Sequence, residues 1–206
     1  MISDQALREE LVRYCHLSYH RRLVSGTGGN LSARIGDSET FLITPSQISL
    51  REISIDTCVT VDIKGNKIAG PDQYLPSEET LMHVAIYATH PEIRAIAHLH
   101  PPHCVSFAVR GEEIPLATVT AEMRLGRSLV VPLASSGTRE LAVAVEKTLA
   151  GSDKNTRMLV LEKHGVVSFG DTIQETIDVI DLAEETATTA CIIAYMAPLE
   201  IIENVP

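Results

Sequence analysis

Residues 93–100 read IRAIAHLH, and this stretch decides the fold because it joins a buried strand to a pair of histidines. The apolar residues from Ile93 to Ala97 predict a strand over 93–99. Alternate residues of a strand point to the same face, so His98 and His100 can direct two imidazoles at one metal ion. The same two histidines would also fit the plain end of a strand, so other residues must decide between these interpretations.

Strands and helices alternate on both sides of this segment. Helices are predicted over 4–24, 77–90, 103–109 and 138–149, and from the capping box of Thr172 and Glu175 to Pro198. Strands are predicted over 31–35, 40–44, 59–63, 67–69, 130–133, 158–161 and 166–169. Because several strands meet in hairpin-like turns, we expect a mixed or antiparallel sheet with flanking helices. No repeat or linker interrupts the pattern, which predicts a single domain over residues 1–206.

Composition narrows the class of protein. The chain has 206 residues, of which 45% are hydrophobic and 21% charged, as in ordinary globular proteins. Its formal net charge is −10 and its basic residues are scattered, so we expect no nucleic-acid partner. Four cysteines without a CxxC pair, no signal-peptide pattern and no long apolar run predict a cytoplasmic protein that does not bind a membrane.

Zinc usually takes more than two protein ligands, and three residues are candidates to join His98 and His100: Glu79, His103 and His164. His164 follows an apolar strand and precedes a glycine, a turn position from which a side chain can face a cleft. His103 lies in the first turn of a helix that starts at Pro101, where surface or core histidines are more common. Residue spacing alone leaves the choice open.

The segment PSEE at residues 76–79 has two interpretations. Ser77 fits a helix cap, and Glu78 and Glu79 fit the first turn, where acidic residues interact favourably with the helix dipole. The alternative gives Glu79 the role of a general acid or base, or of a metal ligand. The residue types at this position are compatible with both.

Glycines and hydroxyls mark a possible anion site. The loop GTGGN at residues 26–30 and the segment TPS at residues 44–46 would let backbone N–H groups approach an anion. No lysine follows the glycines, and they do not form a GxGxxG motif after a strand. The sequence therefore argues against ATP-binding and dinucleotide-binding sites.

Five ordered motifs resemble the class II aldolase/adducin family. They are GGNLSAR at 28–34, LITPS at 42–46, LPSEE at 75–79 with His83 four residues on, HLH at 98–100 and KHG at 163–165. The resemblance spans about residues 5–196. It implies an α/β fold in which a central, mostly antiparallel sheet is flanked by helices, and an assembly of four chains into a homotetramer.

The resemblance also implies a site. One Zn²⁺ per chain would be held by His98, His100 and His164, with Glu79 as a possible fourth ligand before substrate enters. Another divalent metal could replace zinc. In such aldolases the metal stabilises an enediolate while the glutamate, here Glu79, moves a proton. The phosphate of the substrate would be bound by Gly29, Asn30, Ser46 and Ser77.

The function implied is that of a lyase cleaving a small, phosphorylated ketose or a related hydroxy-ketone. A decarboxylase, a dehydratase of the methylthioribulose-phosphate type and a 4-epimerase use similar sites and remain alternatives. Glu79 favours an aldolase over an epimerase, which has an aspartate there. A non-catalytic, adducin-like assembly module is a more distant alternative, because such modules lack the three histidines. Glu78 and Val119 stand where enzymes of the family have a serine and a tyrosine.

Overall fold

An eight-stranded sheet organises the computed structural model, which describes residues 4–152 and 156–196. The strands are β1 Asn30–Arg34, β2 Thr40–Ile43, β3 Val59–Asp62, β4 Lys67–Ala69, β5 Ala95–Leu99, β6 Leu129–Val131, β7 Met158–Leu161 and β8 Gly165–Gly170. Their spatial order is β4-β3-β2-β1-β5-β8-β7-β6. Every neighbouring pair is antiparallel except β6 and β7, so the predicted α/β fold with a mostly antiparallel sheet is confirmed.

Helices cover both faces of this sheet. The described residues form α1 Asp4–His20, α2 Thr80–Thr89, α3 Pro102–Arg110, α4 Val119–Arg124, α5 Arg139–Ala150 and α6 Ile173–Tyr195, with short 3₁₀ helices at Leu50–Glu52 and Ile55–Thr57. One apolar core lies between the sheet and α1, α3 and α6, and a second lies between the sheet and α2 and α5. No described helix is long and apolar enough to cross a membrane.

Strand β5 lies between β1 and β8, and all five of its residues are buried. Its side chains alternate between the two cores, as strand geometry requires. Ala97 and Leu99 belong to the core under α1, α3 and α6, whereas Ile96 belongs to the core under α2 and α5. His98 therefore points toward the layer of α2, and Glu79 is the residue that immediately precedes this helix.

A tight turn between β7 and β8 places His164 beside the end of β5. Leu161 pairs with Gly165, and Leu99 pairs with Val166, so the turn lies next to the carboxyl end of β5. Lys163 adopts a left-handed conformation with φ of 58° in this turn. The antiparallel pairing thus brings residues about 65 positions apart in the chain together at one end of neighbouring strands.

Several predicted element ends are wrong, each for a local reason. The first helix ends at His20 rather than at residue 24, because Arg22 adopts φ of 60° and the Leu23 N–H bonds to the Ser18 carbonyl in a Schellman turn. The second begins at Thr80, capped by Glu79, and not at Ser77.

Other differences are smaller. The strands predicted over 93–99 and 130–133 run over 95–99 and 129–131, and β6 pairs in parallel with β7. Helix α4 was not predicted, because six residues are too few to reveal a period. Thr172 accepts a hydrogen bond from the Glu175 N–H, as a capping box requires, but the Glu175 carboxylate bonds to the Asp171 N–H. Pro198 lies outside the described residues.

Candidate metal centre

Three histidine rings converge at the carboxyl end of β5. The ring centroids of His98 and His100 are 4.6 Å apart, those of His98 and His164 are 4.7 Å apart, and those of His100 and His164 are 5.1 Å apart. One ring nitrogen from each residue lies within 4.8 Å of the other two. The structure therefore brings together the three histidines that the sequence analysis combined.

The hydrogen bonding of His98 defines which of its nitrogens can bind an ion. Nδ1 lies 3.0 Å from the carbonyl oxygen of Val166, which can only accept, so Nδ1 carries the hydrogen. In the neutral ring Nε2 then presents a lone pair. That atom is 2.8 Å from Nε2 of His100 and 2.9 Å from Oε2 of Glu79. Nε2 of His100 can donate a hydrogen to that lone pair, whereas the Glu79 oxygen cannot. A divalent cation bound here would join all three atoms.

Glu79 closes the cluster from the start of α2. Its side chain is only 8% exposed, with Oε2 beside His98 and Oε1 3.4 Å from Nε2 of His164. The hydroxyl of Ser136 donates to Oε1 at 2.7 Å, and Nδ2 of Asn30 donates to Oε2 at 2.9 Å. Each carboxylate oxygen therefore has one hydrogen-bond donor and one imidazole neighbour.

The surroundings of the cluster favour neutral rings at His100 and His164 and an ionised carboxylate at Glu79. Burial lowers the pKa of His100 to about 3 and that of His164 to about 4. Burial by itself would raise the pKa of Glu79. His98 and His164 oppose this effect, as does the Ser136 hydroxyl, so that this pKa lies well below its usual range.

This donor set fits a divalent metal ion. Three imidazoles and one carboxylate are ligands that zinc accepts in a tetrahedral arrangement. In addition, Nδ1 of His164 is buried and has no hydrogen-bond partner among the described residues. The residues present therefore suit the ion that the sequence resemblance implied.

Two glycines pack against the ring of His100. A Cβ on Gly28 would lie 3.0 Å from its Nδ1, and a Cβ on Gly165 would lie 2.5 Å from its Cδ2. A side chain at either position would displace the ring or the backbone. The glycines of the GGN and KHG motifs thus leave room for one histidine of the cluster.

The residues predicted to bind phosphate lie on neighbouring loops, and Pro45 and Pro76 form a bridge between two of these loops. Gly29 adopts φ of 75°, and Val24 and the His98 carbonyl leave no room for a Cβ at this position. Asn30 is buried, and its amide bonds to Glu79 and His83. The Ser46 hydroxyl donates to Oε1 of Glu78, and the buried Ser77 hydroxyl accepts from the Glu79 N–H. Their role toward a phosphate stays a prediction.

His103, the competing third ligand, does not reach the cluster. Its Nδ1 lies 2.7 Å from Oε1 of Glu184 and 2.9 Å from Oγ1 of Thr188, both on α6. The cluster of possible metal ligands found among the described residues contains His98, His100 and His164. The geometry thus separates two candidates that spacing alone could not.

Three contacts around Glu79 and His98 were not predicted from the sequence. Ser136 lies in the segment between β6 and α5, and nothing in its sequence marks it as a partner of Glu79. The sequence also did not indicate that the Val166 carbonyl would bond to His98, or that His83, which is named with the LPSEE motif, would bond to Asn30. These contacts depend on strand register and on helix packing.

Comparisons with known proteins identify the family of this chain. A sequence model of the family described as Class II Aldolase and Adducin N-terminal domain matches residues 9–191. An L-fuculose phosphate aldolase of Methanococcus vannielii is 34% identical over 179 residues, which cover 87% of this chain and 92% of the relative.

Two further proteins are similar over most of the chain. A 3-oxo-tetronate 4-phosphate decarboxylase of Haemophilus influenzae is 30% identical, covering 90% of this chain and 87% of the relative. A solved structure of an L-fuculose 1-phosphate aldolase superposes with a TM-score of 0.83 at 30% identity, covering 94% of this chain and 88% of that one.

Proposed function

Because the chain belongs to the class II aldolase and adducin N-terminal domain family, we propose that it is a zinc-dependent aldolase acting on a small phosphorylated ketose. The observation that carries this proposal is the convergence of three imidazoles and one buried carboxylate on a single point. The fold and the named relatives support a lyase.

His98, His100 and His164 would hold one Zn²⁺ per chain, and Glu79 would serve as a fourth ligand before substrate enters. When bound, the ion acts as a Lewis acid that stabilises negative charge on the substrate oxygens next to the breaking carbon–carbon bond. Imidazole and carboxylate ligands also accept other divalent ions, so the metal in the cell depends partly on availability.

Glu79 is the group we assign to proton transfer. It is buried and ionised, and its carboxylate lies beside the cluster at which the ketose would bind. A carboxylate held there can take a proton from the substrate and return it at the carbon left by the broken bond. Ser136 donates to Oε1 and thereby fixes the side of the carboxylate that faces the segment between β6 and α5.

Gly29, Asn30, Ser46 and Ser77 would contribute to the binding of the substrate phosphate. Both aldolase relatives described above carry a phosphate ester in the name of their substrate. Glu78 is exposed, and its Oε1 accepts hydrogen bonds from Ser46 and from Nε2 of Gln47. This negative charge would repel a phosphate in the same pocket. The Haemophilus influenzae relative makes a 3-oxo acid phosphate decarboxylase the second candidate.

We extend the proposal to assembly and location. The chain would fold as one domain over residues 1–206 in the cytoplasm, as its length, composition and cysteine pattern indicate. It would assemble as a homotetramer, as the family resemblance implies. Val119 and Met123 on α4 are 71% and 79% exposed, and these apolar side chains are available for contacts between subunits.

The first experiment measures metal and product together. Protein purified without added metal is expected to contain about one zinc per chain and to release dihydroxyacetone phosphate from a panel of ketose phosphates. Carbon dioxide or a dehydrated product instead would assign the site to a decarboxylase or a dehydratase. Absence of bound metal would contradict the proposal and favour an assembly module.

A single substitution tests the role of Glu79. Glu79→Gln keeps a side chain of the same size but cannot accept a proton, so turnover should fall by about 10²- to 10⁴-fold. Zinc content at saturation should stay near that of the parent protein, because the three histidines remain. Near-normal turnover would remove Glu79 from the mechanism.

A further inference from the structure

A buried chain of polar side chains leads from Tyr87 to Glu79. Tyr87 OH lies 3.0 Å from Oγ of Ser32, and that Oγ lies 2.7 Å from Nδ1 of His83. Nε2 of His83 lies 2.6 Å from Oδ1 of Asn30, whose Nδ2 lies 2.9 Å from Oε2 of Glu79. All five residues are buried. Asn30 and Ser32 lie on β1, His83 and Tyr87 lie on α2, and Glu79 immediately precedes α2.

The negative charge on Glu79 sets the donor and acceptor of the two hydrogen bonds nearest to it, from Asn30 to Glu79 and from His83 to Asn30. A carboxylate can only accept, so the amide of Asn30 must present its NH₂ group to Oε2. The flipped amide would place two oxygen atoms 2.9 Å apart without a hydrogen between them. Oδ1 of Asn30 therefore faces His83 and must accept, which requires that Nε2 of His83 carry the hydrogen.

The remaining bonds follow from the same logic. Burial lowers the pKa of His83 to about 3, so the ring is neutral and Nδ1 is an acceptor. The Ser32 hydroxyl has a single hydrogen, which it donates to Nδ1. Tyr87 must then donate to Ser32. Every hydrogen in the chain thus points toward Glu79.

We propose that Tyr87, Ser32 and His83 are positioning residues, which hold the Asn30 amide in the one orientation that donates to Oε2 of Glu79. The consequence, which rests on the function proposed above, is that this amide holds Oε2 while Ser136 holds Oε1, so that the carboxylate keeps the orientation in which it exchanges a proton with substrate. Asn30 can reach the correct orientation only while His83 donates to it. Ser32 and Tyr87 act one and two hydrogen bonds further away by fixing the tautomer of that ring.

The contribution of these hydrogen bonds to the stability of the protein must be separated from their effect on Glu79. Ser168 provides a matched control, because it is a fully buried serine on β8, while Ser32 is one on β1, and both strands flank β5. The Ser168 hydroxyl has no hydrogen-bond partner among the described residues. Ser168→Ala therefore makes the same chemical change without touching the chain.

Activity measurements compare four variants. His83→Leu removes the donor to Asn30, and its kcat should fall by about 10- to 100-fold with KM unchanged. His83→Gln places an amide NH₂ near the position of Nε2 and should recover most of that loss. Ser32→Ala should give an intermediate loss in kcat, whereas Ser168→Ala should behave as the parent. Equal effects of Ser32→Ala and Ser168→Ala, or no recovery by His83→Gln in a folded protein, would overturn the proposal.

Two measurements need no turnover. ¹⁵N NMR of labelled histidine should show His83 protonated at Nε2 alone, with Tyr87→Phe or Ser32→Ala admitting the other tautomer. The zinc dissociation constant, from competition with a chelator, should rise about tenfold in His83→Leu but not in His83→Gln. A ring protonated at Nδ1 would refute the direction of the chain. If these two results hold and no ketose phosphate is cleaved, the aldolase assignment fails and the positioning role stands.

Discussion

Two histidines five residues apart in the chain, His98 and His103, each pair with a glutamate, and the two pairs differ in what else the carboxylate binds. His98 and Glu79 are 2.9 Å apart, with side chains that are 0% and 8% exposed. His103 and Glu184 are 2.7 Å apart, with side chains that are 42% and 16% exposed. By distance alone the second pair is the closer one, so ion-pair distance does not identify a site.

The partners of each glutamate explain the difference. Glu184 accepts hydrogen bonds from the backbone N–H groups of His103 and Cys104, at the start of α3. It thus caps that helix from α6, and its charge is used for structure. Glu79 binds side chains, among them His98 and His164, and these rings converge with His100. A carboxylate surrounded by convergent ligands, rather than by helix N–H groups, is available for chemistry.

The largest expected effect separates the two pairs by metal binding. His164→Ala removes one of three imidazoles, so tight zinc binding should be lost and turnover should fall by more than about 100-fold. His103→Ala should leave both nearly unchanged, because its ring contacts Glu184 and Thr188 instead. Zinc content after dialysis, measured by atomic emission, checks both variants.

The opposite zinc-binding result would contradict this difference between the two pairs. If His103→Ala lost zinc while His164→Ala kept it, the ligand assignment would be wrong. Circular dichroism of both variants serves as the control, since His164 is partly exposed and its removal should leave the sheet intact.

A smaller effect concerns stability and the second pair. Glu184→Ala removes the acceptor of two N–H groups at the start of α3, so the free energy of unfolding should fall by about 1–2 kcal/mol. Urea denaturation of the metal-free protein measures this change without a contribution from bound ion. Zinc affinity of the folded variant should equal that of the parent. A weakened zinc affinity would mean that the Glu184 pair belongs to the site.

The sequence predicts those parts of the site that depend on local periodicity. His98 and His100 share a face because strand alternation is a property of adjacent residues, and the position of His164 follows from a strand and a turn. The confirmed sheet rests on the same local patterns. His103 and its partner Glu184 are 81 residues apart, so only packing of α3 on α6 could show what this ring binds.

The same limit applies to the support around Glu79. Asn30 and His83 are 53 residues apart and meet because α2 packs on β1 in one register. The sequence marks Glu79 as a helix-start residue, which is true of the backbone, but burial and partners decide its chemistry. Helix α4 escaped detection for a different reason, since its six residues contain too little periodicity.

The smallest expected effect tests how closely the rings of the first cluster are placed. Gly28→Ala would bring a Cβ to 3.0 Å from Nδ1 of His100, so the ring must move by a few tenths of an ångström. We expect the zinc dissociation constant to rise by about two- to tenfold, below the loss from removing a ligand. Gly151→Ala is the matched control, because the nearest atom to its Cβ is the Thr148 carbonyl at 3.9 Å. The pair of His103 and Glu184 has no such constraint, and its geometry should survive either change. Equal zinc affinity in Gly28→Ala and Gly151→Ala would mean that the cluster tolerates displacement of His100, and that ring placement is not what distinguishes it from the second pair.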